Sequence, residues 1–352
     1  MYKFLFILFL SFSLQFNSQI NTQLLSNTSW TCVNSIMIDG SRDLSFRFNQ
    51  YLVWKIKGNN LCVQIDPWFV ETTKCVNYKI DNNFMKLSDK SNYEIETLTP
   101  DSLVVIQKID GKNFPDQIKK MMFVKTSVLV RNFTDKETSD SIEITSRNVT
   151  PTLTKEIITE ITDTYYNKKY IHDFMVDGEI RIFPKKQEID VKINKIKQNK
   201  ENQRGIDLFK ATLQKNYKSW DISGYEKFEK IIIPLIIESK MEEGYGNVGF
   251  NFKNSNQETN RNAIAVKIKN KSISIENFNK GLNAVNSQKY DNAIYFFNKA
   301  HEEDNTNIES LYNVASISLA QNNTNVACVA LKRLKELEQT QGTQLFKEKC
   351  LE

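Results

Sequence analysis

The chain has 352 residues, more than one hydrophobic core usually serves, so two or three domains are expected. With 40% apolar and 25% charged residues, and only 6 Pro and 11 Gly, it reads as a folded chain and not as a disordered or fibrous one. The net charge of +5 comes from 47 basic and 42 acidic residues spread along the sequence. That pattern lacks the dense Lys/Arg stripe and interleaved aromatics that nucleic-acid binding needs.

At the amino terminus, Met1-Tyr2-Lys3 gives a short basic start, and Phe4 to Phe16 an apolar run of signal-peptide length that ends at Asn17-Ser18-Gln19. A membrane-spanning helix needs about 20 apolar residues, and this run is broken by Ser11, Ser13 and Gln15. Residues 1–19 are therefore expected to be cleaved, leaving a secreted or periplasmic protein with no stable membrane insertion. The first cysteine, Cys32, lies too far on for lipid attachment. Export permits disulfides. Cys328 and Cys350 form one candidate pair, Cys62 and Cys75 another, with Cys32 left over; no C-x-x-C spacing suggests a metal or redox site.

Residues 24–135 alternate in short runs such as Leu44-Ser45-Phe46-Arg47-Phe48, Leu61-Cys62-Val63-Gln64-Ile65 and Val76-Asn77-Tyr78-Lys79-Ile80. Turn signals at Asp39-Gly40, Gly58-Asn59-Asn60, Asp81-Asn82-Asn83 and Asp110-Gly111 separate them, predicting an antiparallel meander closed into a barrel or sandwich. Ser29-Trp30 before a strand, the Asp39-Gly40 hairpin and the strand train ending in Asp101-Ser102-Leu103-Val104-Val105 resemble the small lipocalin-like domains of bacterial secreted proteins. The resemblance implies an interior able to hold a small apolar ligand, lined by Trp54, Trp68 and Phe69. Large aromatics at strand positions also serve as plain core.

Residues 136–150 turn polar and are expected to be a linker, and 151–258 a second domain. Behind Thr150-Pro151, Leu153, Ile157, Ile158 and Ile161 recur at helical spacing. Strands follow over Gly178 to Phe183 and Ile189 to Ile193, then an amphipathic helix carrying Ile206, Phe209, Leu213 and Tyr217, then the apolar run Ile231 to Ile237, interrupted by Pro234. This order, with Trp220 and Gly224 in place, resembles the C-terminal domain of TonB-type proteins, in which a helix lies across a small sheet. The family's energy transduction requires a membrane anchor and a proline-rich spacer, which 6 Pro do not supply. The resemblance therefore implies a docking module whose edge strand accepts a partner strand.

After a connector over 259–275, residues 276–352 carry a repeat. A shift of 34 residues places Phe278 on Tyr312, Gly281 on Ala315, Ala293 on Ala327 and Phe297 on Leu331. Antiparallel helices approach closely where Gly or Ala removes a side chain and a bulky neighbour fills the space. The spacing Ala293-x-x-x-Phe297, with Tyr290 before and Ala300 after, resembles the tetratricopeptide repeat, although Asn277, Asn305 and Leu334 depart from its pattern. The resemblance implies a concave face lined by Phe278, Leu282, Tyr312 and Ser316 that recruits a protein or peptide partner. A last helix, Thr343 to Cys350, is expected to cap the array. Two repeats are fewer than the three usually needed for a continuous core, so the tail is expected to lean on the middle domain.

No catalytic signature accompanies these parts. There are two histidines, His172 and His301, no G-x-S-x-G and no phosphate-loop lysine. Gly244-x-Gly246-x-x-Gly249 leads into the strand-like Val248 to Phe252 and not into a helix, so it reads as a hairpin turn. The sequence thus predicts a multidomain α+β chain: a β-barrel or sandwich, an α/β sheet domain and a helical array. It is expected to act without a cofactor or metal as a non-enzymatic interaction or scaffold module of the cell envelope. The alternative is a carrier of a small apolar ligand in the first domain.

Overall fold

The computed structural model describes residues 20–46, 50–70, 75–168, 173–194, 200–242, 245–253 and 266–351. The leader expected over 1–19, Gly244, His172 and the first part of the connector lie outside the described residues.

The N-terminal barrel contains β1 (Thr28–Met37), β2 (Val53–Lys57), β3 (Asn60–Gln64), β4 (Val76–Asn77), β5 (Lys79–Asp81), β6 (Phe84–Lys86), β7 (Ser91–Leu98), β8 (Ser102–Ile109) and β9 (Lys119–Lys125). The order is β4-β3-β2-β1-β9-β8-β7-β6-β5, with antiparallel neighbours throughout. Only Tyr78 separates β4 from β5, so one segment serves both ends of the sheet. The barrel thereby nearly closes and leaves little open edge. Tight hairpins at Gly58 (φ 55°) and Asn82 (φ 54°) use residues that tolerate left-handed backbone. Trp30, Trp54, Met85, Leu103 and Phe123 fill the interior. Leu44, expected on a strand, sits instead in the loop after β1 and is buried among the C-terminal helices.

The middle domain contains α1 (Thr126–Thr134), β10 (Ser141–Glu143), β11 (Thr152–Leu153), α2 (Ile158–Lys168), β12 (Phe174–Phe183), β13 (Glu188–Ile193), α3 (Lys200–Lys215), β14 (Trp220–Asp221), β15 (Lys230–Glu242) and β16 (Tyr245–Phe252). Its sheet is mixed: β10 lies parallel to β15, while β12, β13 and β16 add antiparallel pairs. The stretch expected as a linker, 136–150, supplies β10 and the buried Ile142, Ile144 and Val149. The helix expected behind Pro151 starts only at Ile158, because Thr152 and Leu153 first pair with Asp221 and Trp220.

Pro234 sits in the longest strand without breaking it. On one side β15 runs continuously against β12. On the other, β10 covers 230–232 and β16 takes over at Leu235. The Pro234 carbonyl accepts from the Lys253 amide (3.1 Å), and in a strand the N–H and C=O of one residue face the same side. The donor that proline lacks therefore faces the changeover between two partners, where no ladder bond is lost.

The C-terminal array stacks α4 (Lys271–Asn286), α5 (Tyr290–Glu303), α6 (Ile308–Ala320), α7 (Thr324–Glu336) and α8 (Thr340–Cys350). A Cβ on Gly281 would lie 2.6 Å from the Phe297 ring, so the close approach expected at Gly281 is made against Phe297. Asn270, Asn307 and Asn323 cap α4, α6 and α7 with side-chain oxygens. The array was expected to lean on the middle domain; it leans on the barrel. Leu44 enters its core, the Arg42 amide donates to the Glu338 carbonyl (3.1 Å), and the Thr340 amide donates to Ser41 Oγ (2.9 Å). The physical reason is hydrogen-bond demand at the start of α8, where orphan amides meet the oxygens of the loop after β1.

Candidate functional site

A groove of about 790 Å³ opens where the barrel meets the array. Its floor comes from Tyr312, Ala315 and Leu319 on α6 and Leu345 on α8; its lip comes from Phe114 and Asp116, in the loop between β8 and β9. Helical spacing aligns Tyr312, Ser316 and Leu319 on one face of α6. The Tyr312 hydroxyl accepts from the Gly342 amide (3.2 Å), fixing α6 to the first turn of α8. Burial, with Asp116 and Asp39 nearby, pushes the Tyr312 phenol up to about 12, so it remains a neutral hydrogen-bonding group. Phe114 is 66% exposed, unusual for an aromatic beside apolar surface.

Of the four residues expected to line a partner face, Tyr312 and Ser316 line this groove. Leu282 is exposed on α4, while Phe278 packs against Phe297 with ring centroids 5.4 Å apart. Phe114 and Asp116 escape sequence reading because Asn113-Phe114-Pro115-Asp116 looks like an ordinary turn. The available signal is a large aromatic placed in a turn.

The three aromatics expected around one ligand are separated. Trp54 packs inside the barrel against Tyr93 and Phe123, with centroids at 4.7 and 4.4 Å. Trp68 belongs to the middle domain's core, 5.2 Å from Phe250, and its Nε1 donates to the Pro151 carbonyl (3.1 Å). Phe69 is 45% exposed. The cause is the Asp66 carboxylate, which accepts from the amides of Trp68 and Phe69 and turns the chain away from β3.

Cys328 is bonded to Cys350 and Cys62 to Cys75, while Cys32 is a buried free thiol. The first bond ties α7 to α8 and is worth about 3 kcal/mol in the chain-entropy account. Two disulfides fit an oxidising, extracytoplasmic compartment. Among the described residues no helix is long and apolar enough to cross a membrane, and no acidic, His and Cys groups cluster as metal ligands.

His301 is buried where α5 meets the α6 turn, its Nδ1 3.3 Å from the Asn307 carbonyl and its Nε2 without a partner among the described residues. Burial, aided by the Arg333 charge, holds its pKa below the usual value, against the opposing pull of the Asn307 carbonyl, Asp304 and Glu302. The unfolded chain therefore binds the extra proton first, and stability falls as pH drops below about 6.5. The wild-type urea midpoint is expected to decline between pH 7.5 and 5.5 by more than that of His301→Gln. Equal declines in the two proteins would show that this imidazole carries no such linkage.

The class so defined is a three-part chain of an antiparallel barrel, a mixed sheet with helices and a stacked helical array, with a groove at the joint of the first and third parts. Comparison with protein-family models, curated proteins and solved structures finds no match to it.

Proposed function

We propose that this is an exported interaction module of the cell envelope that captures a protein partner in the groove between barrel and array. The observation that carries the reading is the exposed Phe114 on the lip of a concave surface built on α6 and α8. Large apolar side chains held at the mouth of a groove are the usual anchors of an interface. Residue resemblance adds support: on the tetratricopeptide reading, Tyr312 and Ser316 belong to the helix face that recruits peptides in such arrays. The barrel and middle domain, lipocalin-like and TonB-like in sequence pattern, then act as scaffold. The carrier reading is weaker because Trp54 is packed by neighbouring rings and Trp68 lies in another core.

Phe114→Ser combined with Ser316→Arg tests the reading. Crosslinking in the native envelope followed by pull-down is expected to lose the partner that wild type retains. The melting temperature should stay within the shift of an exposed change, about 0.5 kcal/mol. Undiminished capture by this variant would place recognition elsewhere on the molecule.

A further inference from the structure

We propose that the occupant of this groove is an extended segment of a partner protein in which an apolar side chain is flanked by Lys or Arg; the proposal rests on the interaction reading above. Charge complementarity points to it. The charged side chains lining the groove are Asp116 and Glu309, both acidic, one on the loop before β9 and one at the start of α6. Neither makes an ion pair among the described residues. A third carboxylate, Asp39, lies close enough for its charge, like that of Asp116, to be felt at the Tyr312 hydroxyl. The charges placed at the groove are thus negative and not neutralised by an ion pair among the described residues, which favours an incoming cation over an anion.

The floor supplies the other half of the specificity. Leu319 and Leu345 give the groove apolar surface, and Ser316, Asn313 and Gln341 line it with polar groups able to bond an extended backbone. A volume of about 790 Å³ admits a few side chains and not a folded domain, so the recognised element is short. A segment with leucine or phenylalanine at its centre and lysine on either side would bury the apolar group against Phe114, Leu319 and Leu345 and offer its ammonium groups to the two carboxylates. The same segment with glutamate in place of lysine would meet like charge at Asp116 and Glu309.

The test uses the full-length exported protein and two short fluorescein-labelled peptides, alike in an apolar centre and differing only in Lys or Glu flanks. Anisotropy titrations at low salt are expected to show the Lys-flanked peptide binding about tenfold more tightly, with the gap narrowing as salt rises. Asp116→Asn with Glu309→Gln should bring the two affinities together and leave the melting temperature unchanged. Phe114→Ser should weaken both peptides alike. Equal affinities of wild type for the two peptides, or preference for Glu flanks, would overturn the charge inference while leaving the groove standing. Failure of wild type to bind either peptide would overturn it together with the interaction reading.

Discussion

Trp68→Ala is expected to destabilise the middle domain by about 3–5 kcal/mol, although Trp68 belongs in sequence to the barrel. The indole is fully buried, stacks on Phe250, meets Trp220 edge-on with centroids 6.0 Å apart, and gives its Nε1 proton to the Pro151 carbonyl. Truncation leaves a large cavity and an unsatisfied carbonyl together. Around it the Leu153 amide donates to the Pro67 carbonyl (3.0 Å), and Arg147 pairs with Asp66 at 3.3 Å. The loss should therefore fall on the joint between the domains as well as on the core. Trp68→Phe, which keeps the ring stack but not the donor, is expected to lose roughly a third to a half of that. Urea unfolding followed by tryptophan fluorescence and by far-UV circular dichroism reads both. A loss below about 1 kcal/mol in Trp68→Ala would mean that the indole is not a tie between the domains.

The elements themselves were readable because each rests on local periodicity. Alternation found β3, β4 with β5, and β8, and the 34-residue offset found the helix pairs, with Gly281 as a point of close approach. What escaped are contacts between segments far apart in the chain. Trp68 looked like a barrel residue because it follows β3 by four positions, and only the Asp66 turn sends it elsewhere. Leu44 alternates with Phe46 as a strand would, yet it is buried in the helical array, and its loop bonds the turn between α7 and α8, nearly three hundred residues on. The groove was half found for the same reason. Tyr312 and Ser316 follow from helix periodicity, but Phe114 and Asp116 arrive from another domain, and no pattern near them announces the meeting.

Leu44→Ala is expected to loosen the array by about 2–4 kcal/mol and to open the groove with it. The side chain is 6% exposed and sits in the same core as Phe297, Leu331, Leu334 and Leu337. Its loop is held from both ends. On the array side, Gln339 Nε2 donates to the Arg42 carbonyl (3.3 Å) beside the Ser41 and Glu338 contacts. On the barrel side, the Asp43 carboxylate, 2% exposed, accepts from Ser35 Oγ, Ser45 Oγ and the Ser45 amide and pairs with Lys119 at 3.0 Å. Burial works to raise the Asp43 pKa, but those hydrogen bonds and the Lys119 charge outweigh it and hold the carboxyl below the usual range. Its contribution is therefore complete above the unfolded carboxylate pKa, about 3.9, and is lost as pH falls through the lower folded value. Neutral pH leaves the clamp intact, so Leu44→Ala isolates the apolar contact. Hydrogen exchange at pH 7 should rise across α6 to α8 while β6 and β7, three or more strands removed from β1 in the sheet order, keep their protection. Asp43→Ala, which retains the leucine but frees the loop and strands the partly exposed Lys119, should raise exchange over the same helices. Unchanged exchange over α6 to α8 in both variants would mean that the helices hold together without the barrel and that the loop merely rests against them.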